Sequence, residues 1–353
     1  MLTTFLGNFL KAFLLFVILG IIIIAVFVES SKFLLRQSED TYIKPTTSLP
    51  TPKISGWIAW WAEKAAYDLL QRNPGKIQTV SPVWFMLDKN LNFSEVGTVN
   101  KKDSVTMLKN SNVRILPTFG SELTEDKLSP FLNNSSKVDK LTDTLAQKAK
   151  ELGVNGLDID IEGIRKEDKN AFISFLQKMS QKLKKEGLIM SVDVSAQTQI
   201  VVWKGVEGQD LKRIGQIADE VRIMLYDEHS SSTKPGPISS KTWIEDVALY
   251  TLGQINKDKI VMGIPSYGYI WNKNGNSEGL QFDEFNKYLS DKKYTSKRDS
   301  NSAELVITGD NFSGWLSDSE AMHEKIKILR QIGLNKFIIW HLGGMDERFL
   351  FAN

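Results

Sequence analysis

The stretch GLDIDIEGI, Gly156–Ile164, places Asp158, Asp160 and Glu162 at every second position, with Leu157, Ile159 and Ile161 between them. In a β-strand, residues two apart point to one face, about 6.6 Å apart along the chain. The three acids therefore share a face, and the three aliphatic residues share the opposite one, suited to packing beneath helices. An unpaired ionised carboxylate inside a protein is costly or takes up a proton. Three on one inward face are not retained for stability. A solvated edge strand or a calcium site would be blander accounts. Long helical patterns on both sides argue against an edge, and acids strung along a straight strand converge poorly on one ion.

Working outward, short apolar runs alternate with longer amphipathic ones. Candidate strands are Ile54–Trp61, Ile77–Leu87, Val113–Gly120, Gly156–Glu162, Leu188–Val194, Glu220–Asp227, Lys259–Gly268 and Lys336–Leu342. Helical periodicity marks KLTDTLAQKAKELG up to Gly153, KNAFISFLQKMSQKLKKEG up to Gly187, WIEDVALYTLGQI and SEAMHEKIKILRQIG. The first two stop at a glycine, a helix-end signal. Strands alternating with helices over roughly 300 residues predict an α/β fold, a (β/α)8 TIM barrel. A doubly wound open sheet is the competitor, but no glycine-rich phosphate loop follows the first strand. Residues 271–311 have little helical period and predict a small β-rich insertion between strands seven and eight.

The 353 residues carry a formal net charge of +2 and are 42% hydrophobic, the balance of an ordinary globular protein. That near-neutrality argues against nucleic-acid binding. With no cysteine, disulfides, thiolate metal sites and cysteine nucleophiles are excluded, a composition that suits an extracytoplasmic protein. The apolar run AFLLFVILGIIIIAVFV, Ala12–Val28, with its flanks approaches the roughly 20 residues needed to cross a bilayer. It is long for a cleavable signal peptide, and no A-x-A cleavage site follows. Residues 1–28 are expected to be an uncleaved signal anchor, 29–53 a linker rich in Pro and Thr, and 54–353 the barrel. The bulk of the chain is then expected outside, held at the cell membrane by a single span.

At the C-terminal end of a barrel strand a side chain reaches the mouth, where substrates bind. Glu162 holds that position, Asp160 lies deeper and Asp158 deeper still. Neighbouring carboxyls cannot all ionise easily, so at least one keeps its proton towards neutral pH and can donate it.

NGLDIDIE resembles the D-G-x-D-x-D-x-E signature of glycoside hydrolase family 18, the chitinase family, with Asn155 where the first Asp usually stands. The chain is most similar to the bacterial branch of spore-germination and cortex-lytic glucosaminidases. MLYD, Met224–Asp227, resembles the family's M-x-Y-D, and IIWHLGG, Ile338–Gly344, its strand-eight tryptophan segment. SPVWFML and MGIPSYGYIW look like strands two and seven. TFGS, Thr118–Ser121, departs from the family's S-x-G-G and puts sugar contacts there in question.

The resemblance implies a retaining, substrate-assisted glycosidase cleaving β-1,4 linkages of N-acetylglucosamine-containing glycans, with cell-wall peptidoglycan favoured over free chitin. It implies Glu162 as proton donor and Asp160 as the residue orienting the substrate acetamido group. Asp158 would share a proton with Asp160, and Tyr226 would hydrogen-bond the acetamido oxygen. Asp227, Trp340, Met224, Trp60 and Trp84 are the expected sugar contacts, with Trp57 and Trp61 as further aromatic candidates. His229 and His341 are expected to be structural, and the lysines of Lys178–Lys185 to form a solvated face. No cofactor or metal is expected, the partners are a glycan and the membrane, and a monomer is expected. A catalytically silent, lectin-like barrel is the alternative; relatives of that kind commonly lose the catalytic Glu, which this chain retains.

Overall fold

The computed structural model describes residues 50–200, 204–291 and 293–351. The expected membrane anchor and nearly all of the expected linker lie outside the described residues. Among the described residues, no helix is long and apolar enough to cross a membrane.

Parallel strands β1 (Lys53–Ile58), β2 (Thr79–Leu87), β4 (Arg114–Ile115) with β5 (Thr118–Ser121), β6 (Gly156–Asp160), β7 (Ile189–Ser195), β8 (Glu220–Met224), β9 (Ile260–Pro265) and β15 (Lys336–Trp340) form one sheet. β1 pairs with both β2 and β15, so the sheet closes into a barrel of eight strand positions. β4 and β5 make one interrupted position. Pro117 between them has no N–H to donate, although its carbonyl still accepts from the Asp158 N–H. The short strand β3 (Phe93–Glu95) runs antiparallel to the end of β2.

Helices α1 (Glu63–Arg72), α2 (Lys101–Asn110), α3 (Glu125–Leu132), α4 (Ser135–Leu152), α5 (Lys169–Lys185), α6 (Leu211–Ile217) and α7 (Lys241–Leu252) fill the crossovers. Gly153 ends α4 in the left-handed region at φ 65°, where glycine meets no Cβ penalty. Leu157, Ile159 and Ile161 are fully buried in the main core with Phe172, Phe175 and Met179 of α5. The alternation in Gly156–Ile164 thus resolves as expected: aliphatics towards the helices, acids towards the barrel interior. The lysines of α5 are not merely solvated, since Lys178 pairs with Asp139 at 2.8 Å and Lys182 with Asp143 at 2.5 Å on α4.

The insertion between the seventh and eighth positions is larger than expected and not purely β. It comprises β10 (Tyr267–Asn272), β11 (Ser277–Gln281), helix α8 (Phe282–Leu289), β12 (Thr295–Arg298), β13 (Leu305–Gly309) and β14 (Phe312–Leu316). The strands form an antiparallel sheet in the order β11-β10-β14-β13-β12. Phe285 of α8 is buried with Ile270, Leu280, Ile307 and Leu316 in a separate small core. Eight residues carry too few turns for their period to stand out in sequence. Helix α9 (Ser319–Gln331) then leads into β15.

Candidate active site

The barrel interior is built in layers, because inward residues recur at every second position of each strand. The lowest layer is charged. Arg114 of β4 reaches Glu220 of β8 at 2.6 Å, and its Nε donates to Thr79 of β2. One step up, Glu220 lies 3.8 Å from Arg222, which donates to the Ser81 hydroxyl and pairs with Asp158 at 2.7 Å. Arg222 and Asp158 are 1% and 0% exposed, so the pair is removed from water.

Both oxygens of Asp158 are taken. Trp57 Nε1 donates to Oδ2 at 3.0 Å, Thr118 Oγ1 to the same oxygen at 2.9 Å, and Ser191 Oγ to Oδ1 at 2.6 Å. Three neutral donors and a guanidinium thus satisfy this carboxyl group. The strand register makes this geometry possible, since Asp158 stands opposite Ser191 across β6–β7 and opposite Thr118 across β5–β6.

Asp160 lies in the next layer with one oxygen, Oδ1, buried and without a hydrogen-bond partner. Burial first, then the charges of Glu162 and Asp158, push its carboxyl well above the usual range. On β7 stands a further acid, Asp193, 2% exposed, whose Oδ1 also lacks a partner. Burial and the charges of Asp158 and Asp160 raise it well above the usual range, against the lowering effect of Arg222.

Glu162 follows the end of β6 and opens onto the cleft. Its own surface is exposed, yet protein walls enclose it on the remaining sides. That enclosure, with the negative charge of Asp227, raises its carboxyl. Asp227 adopts φ 62°, in the left-handed region unusual for a residue with a Cβ. The hydroxyls of Tyr267 and Tyr269 from β10 both donate to its Oδ1. Burial raises Asp227, while these two hydrogen bonds oppose the rise.

Tyr226 is half-buried and edge-on to Tyr267, with ring centroids 6.1 Å apart. Burial and the surrounding carboxylates, Asp193 foremost, hold its hydroxyl neutral by raising it well above its ordinary value. Gly263 on β9 makes room for the ring: a Cβ there would meet Tyr226 Cε1 at 3.3 Å and the Ile223 carbonyl oxygen at 2.7 Å. Trp340, at the end of β15, stands over Trp57 and Ile338 and joins Tyr226 in a cluster inside the barrel. Its ring lies 5.9 Å from Trp57 and 6.3 Å from Trp61, each edge-on. Trp60 and Trp61 on the loop after β1 are 43% and 59% exposed and rim the mouth. Met224, half-buried on β8, falls on the same inward face as Tyr226.

The structure therefore brings Asp158, Asp160, Glu162, Tyr226, Asp227, Met224 and Trp340 to the barrel interior or its mouth, with Trp60 at the rim. Trp84 is a correction. It is fully buried in the outer core, away from the mouth. Ser81 points inward, and the register of β2 against β5 shifts between Val83 and Phe85. Alternation from Ser81 already turns Trp84 to the helix side, and the irregularity turns Phe85 there as well, beside Phe119. Trp57 lies beneath Trp340, holding Asp158. Asn155 plays a structural part: its Oδ1 accepts the Ile115 N–H at 2.9 Å. Ser121 accepts the N–H of Leu123, at 3.2 Å. His229 is bound locally to the Pro237 carbonyl, and His341 is buried beside Trp340.

Arg222 and Asp193 are the interior residues that the strand patterns do not single out at first reading. The signal is the same alternation that exposes the acids of β6. Glu220, Arg222, Met224 and Tyr226 alternate in EVRIMLYD, and Ser191 and Asp193 alternate in LIMSVDV. The loop after Asp227 is fixed from the insertion. Glu304 accepts the N–H groups of Ile238 and Ser239 and pairs with buried Lys325 at 2.8 Å. Among the described residues, no group of three or more His, Asp and Glu side chains is arranged to hold a metal ion.

An acid with a raised carboxyl at a barrel mouth, above an aromatic floor, suits cleavage of glycosidic bonds, and comparison with known proteins places the chain in that class. It matches the Glycosyl hydrolases family 18 over residues 56–346 and belongs to that family, a family of glycosidases. The "Uncharacterized glycosylase YvbX" of Bacillus subtilis is 27% identical over 64% of this chain and 67% of its own length. The "Cortical fragment-lytic enzyme" of Bacillus subtilis is 24% identical over 68% of this chain and 59% of its own length. The crystal structure of a chitinase from Chromobacterium violaceum superposes with a TM-score of 0.76 at 21% identity, covering 85% of this chain and 97% of that one.

Proposed function

We propose that this barrel hydrolyses β-1,4 linkages next to N-acetylglucosamine in cell-wall peptidoglycan, with retention of configuration and with the substrate supplying the nucleophile. The observation that carries the reading is Glu162, open to the cleft at the end of β6, its carboxyl raised by enclosure and by the charge of Asp227. A raised acid at that place keeps a proton to give.

Glu162 protonates the glycosidic oxygen as the bond to the anomeric carbon breaks. The 2-acetamido oxygen attacks that carbon and forms an oxazolinium ion, the substrate-assisted exception to the two-carboxylate scheme. Glu162, now a carboxylate, takes a proton from the incoming water, which opens the ring with net retention. Asp160 orients the acetamido N–H and offsets the positive charge of the oxazolinium. The neutral Tyr226 hydroxyl donates to the acetamido oxygen and holds it for attack. Trp340 supplies an apolar floor for the sugar face, and Asp227 meets sugar hydroxyls. A cortex-lytic relative and the apolar run at 12–28 support peptidoglycan as substrate and a membrane-tethered barrel on the extracytoplasmic side.

Digestion of purified peptidoglycan and of chitin oligomers, with products identified by mass, tests the substrate. Release of N-acetylglucosamine-ended fragments from peptidoglycan is expected. Cleavage of chitin oligomers alone would reassign the substrate, and early appearance of the α-anomer by NMR would overturn retention.

A further inference from the structure

Strand pairing stops short of the residue at the barrel mouth. The β6–β7 register pairs Gly156 with Ile189 and ends with Ile159 opposite Val192, and β6 itself ends at Asp160. Glu162 lies two residues further on and is followed by Gly163 at φ 68°. Its backbone is therefore beyond the ladder that aligns the deeper acids, and something else must hold it.

A side chain from the next crossover bridges the gap. Gln209, 2% exposed, lies just before the Asp210 cap of α6. Its Oε1 accepts the Ser195 N–H at the end of β7, at 2.9 Å. Its Nε2 donates at 3.4 Å to the Ile161 carbonyl, which belongs to the peptide leading into Glu162. One amide, donor and acceptor together, thus links the two strands where their own pairing has ended. Gln209 is itself fixed: its N–H donates to the Val206 carbonyl at 3.0 Å, and its carbonyl accepts from Gln197 Nε2 at 3.0 Å. The preceding residue, Gly208, donates its N–H to the Ile164 carbonyl at 3.1 Å. A Cβ on Gly208 would meet Ile164 Cγ2 at 2.3 Å and the Arg165 carbonyl oxygen at 2.4 Å, so glycine permits this approach. Gln209 therefore holds the carbonyl just before Glu162, and Gly208 holds one just after it.

We propose that Gln209 is a positioning residue for proton transfer: its amide sets the peptide before Glu162 and so aims that carboxyl at the glycosidic oxygen. The inference rests on Glu162 as the proton donor. A general acid must sit within hydrogen-bond reach of the atom it protonates, and small misplacements are costly. That need is greatest for a leaving group that departs poorly as an anion and least for one that departs readily without a proton. A brace that serves the fold alone slows all substrates alike. A brace that serves Glu162 slows those that need its proton.

The test measures kcat/KM on two aryl glycosides of an N-acetylglucosamine dimer, one releasing phenol and one releasing 2,4-dinitrophenol. Gln209→Met keeps the length of the side chain and removes the amide. It should lose at least about tenfold on the phenyl substrate and less than about threefold on the dinitrophenyl one. Gln209→Asn, whose amide is one methylene too short to span the strands, should show the same split and serves if the Met variant does not fold. Equal losses on both substrates, or no loss on the phenyl one, overturn the proposal. Glu162→Gln is run alongside and should show a larger split of the same kind; its absence would place the failure in the assignment of Glu162. Amide exchange followed by NMR tests the bridge without any turnover. The Ser195 N–H should exchange slowly in the unaltered protein and faster in the Gln209 variants, and equal protection would show that Gln209 braces nothing.

Discussion

Arg222 Nη1 lies 2.7 Å from Asp158 Oδ2, and both side chains are shut off from water at the centre of the barrel. Removing one partner of such a pair leaves an uncompensated buried charge, costing about 3–5 kcal/mol. Arg222→Met is expected to lose stability on that scale. Adding Asp158→Asn should recover part of it by removing the stranded charge. Urea unfolding of the two variants checks this. A midpoint for Arg222→Met equal to that of the unaltered protein would show that the pair does not support the fold.

Tyr226→Phe keeps the ring and its fit beside Gly263 but removes the hydroxyl. The loss expected is about 10²-fold in kcat, the scale of one missing donor at a developing charge. Melting temperature should stay unchanged. Steady-state kinetics on a chromogenic N-acetylglucosamine oligomer reads it. An unchanged kcat would remove Tyr226 from the chemistry and leave it a packing residue.

His341 gives a pH prediction with a definite sign. Burial lowers its imidazole from 6.5 to about 4. The unfolded chain takes up a proton near the ordinary value and the folded chain only near about 4, so between these the unfolded state binds more protons. The contribution to stability is present above the ordinary value and is lost as pH falls through that window. Neither ring nitrogen has a hydrogen-bond partner among the described residues, so Phe replaces the ring without stranding one. The melting temperature of His341→Phe should fall less than that of the unaltered protein on going from about pH 7.5 to about pH 5. Raised carboxyls are common to both proteins and cancel in the comparison. An equal fall would show that His341 is protonated in the folded state.

Much of the barrel is legible in the sequence because the strand positions are short apolar runs and two of the long helices end on a plain signal, Gly153 and Gly187. The acids of β6 are legible for a simpler reason, since charged residues at period two in an apolar context have no stable place except a functional interior. Trp84 misleads because SPVWFML is apolar on both faces, so the sequence does not show which face is inward until Ser81 is seen to meet Arg222. A bulge is a backbone event with no fixed residue signature, and it turns Phe85 to the outer core beside Trp84. Asp193 stands as a single charge in an apolar strand and Arg222 beside Glu220 in another, and only the register across β6, β7 and β8 shows that they share the barrel interior. Helix α8 escapes notice because two turns are too short to show a period.

The central claim is that Glu162 is the proton donor, and Glu162→Gln tests it most directly. Gln keeps the size and the hydrogen bonding of the side chain but has no proton to transfer. Turnover of a chromogenic N-acetylglucosamine oligomer should fall by at least about 10²- to 10⁴-fold, while calorimetry still detects oligosaccharide binding and the melting temperature is unchanged or higher. Full activity in Glu162→Gln would contradict the account.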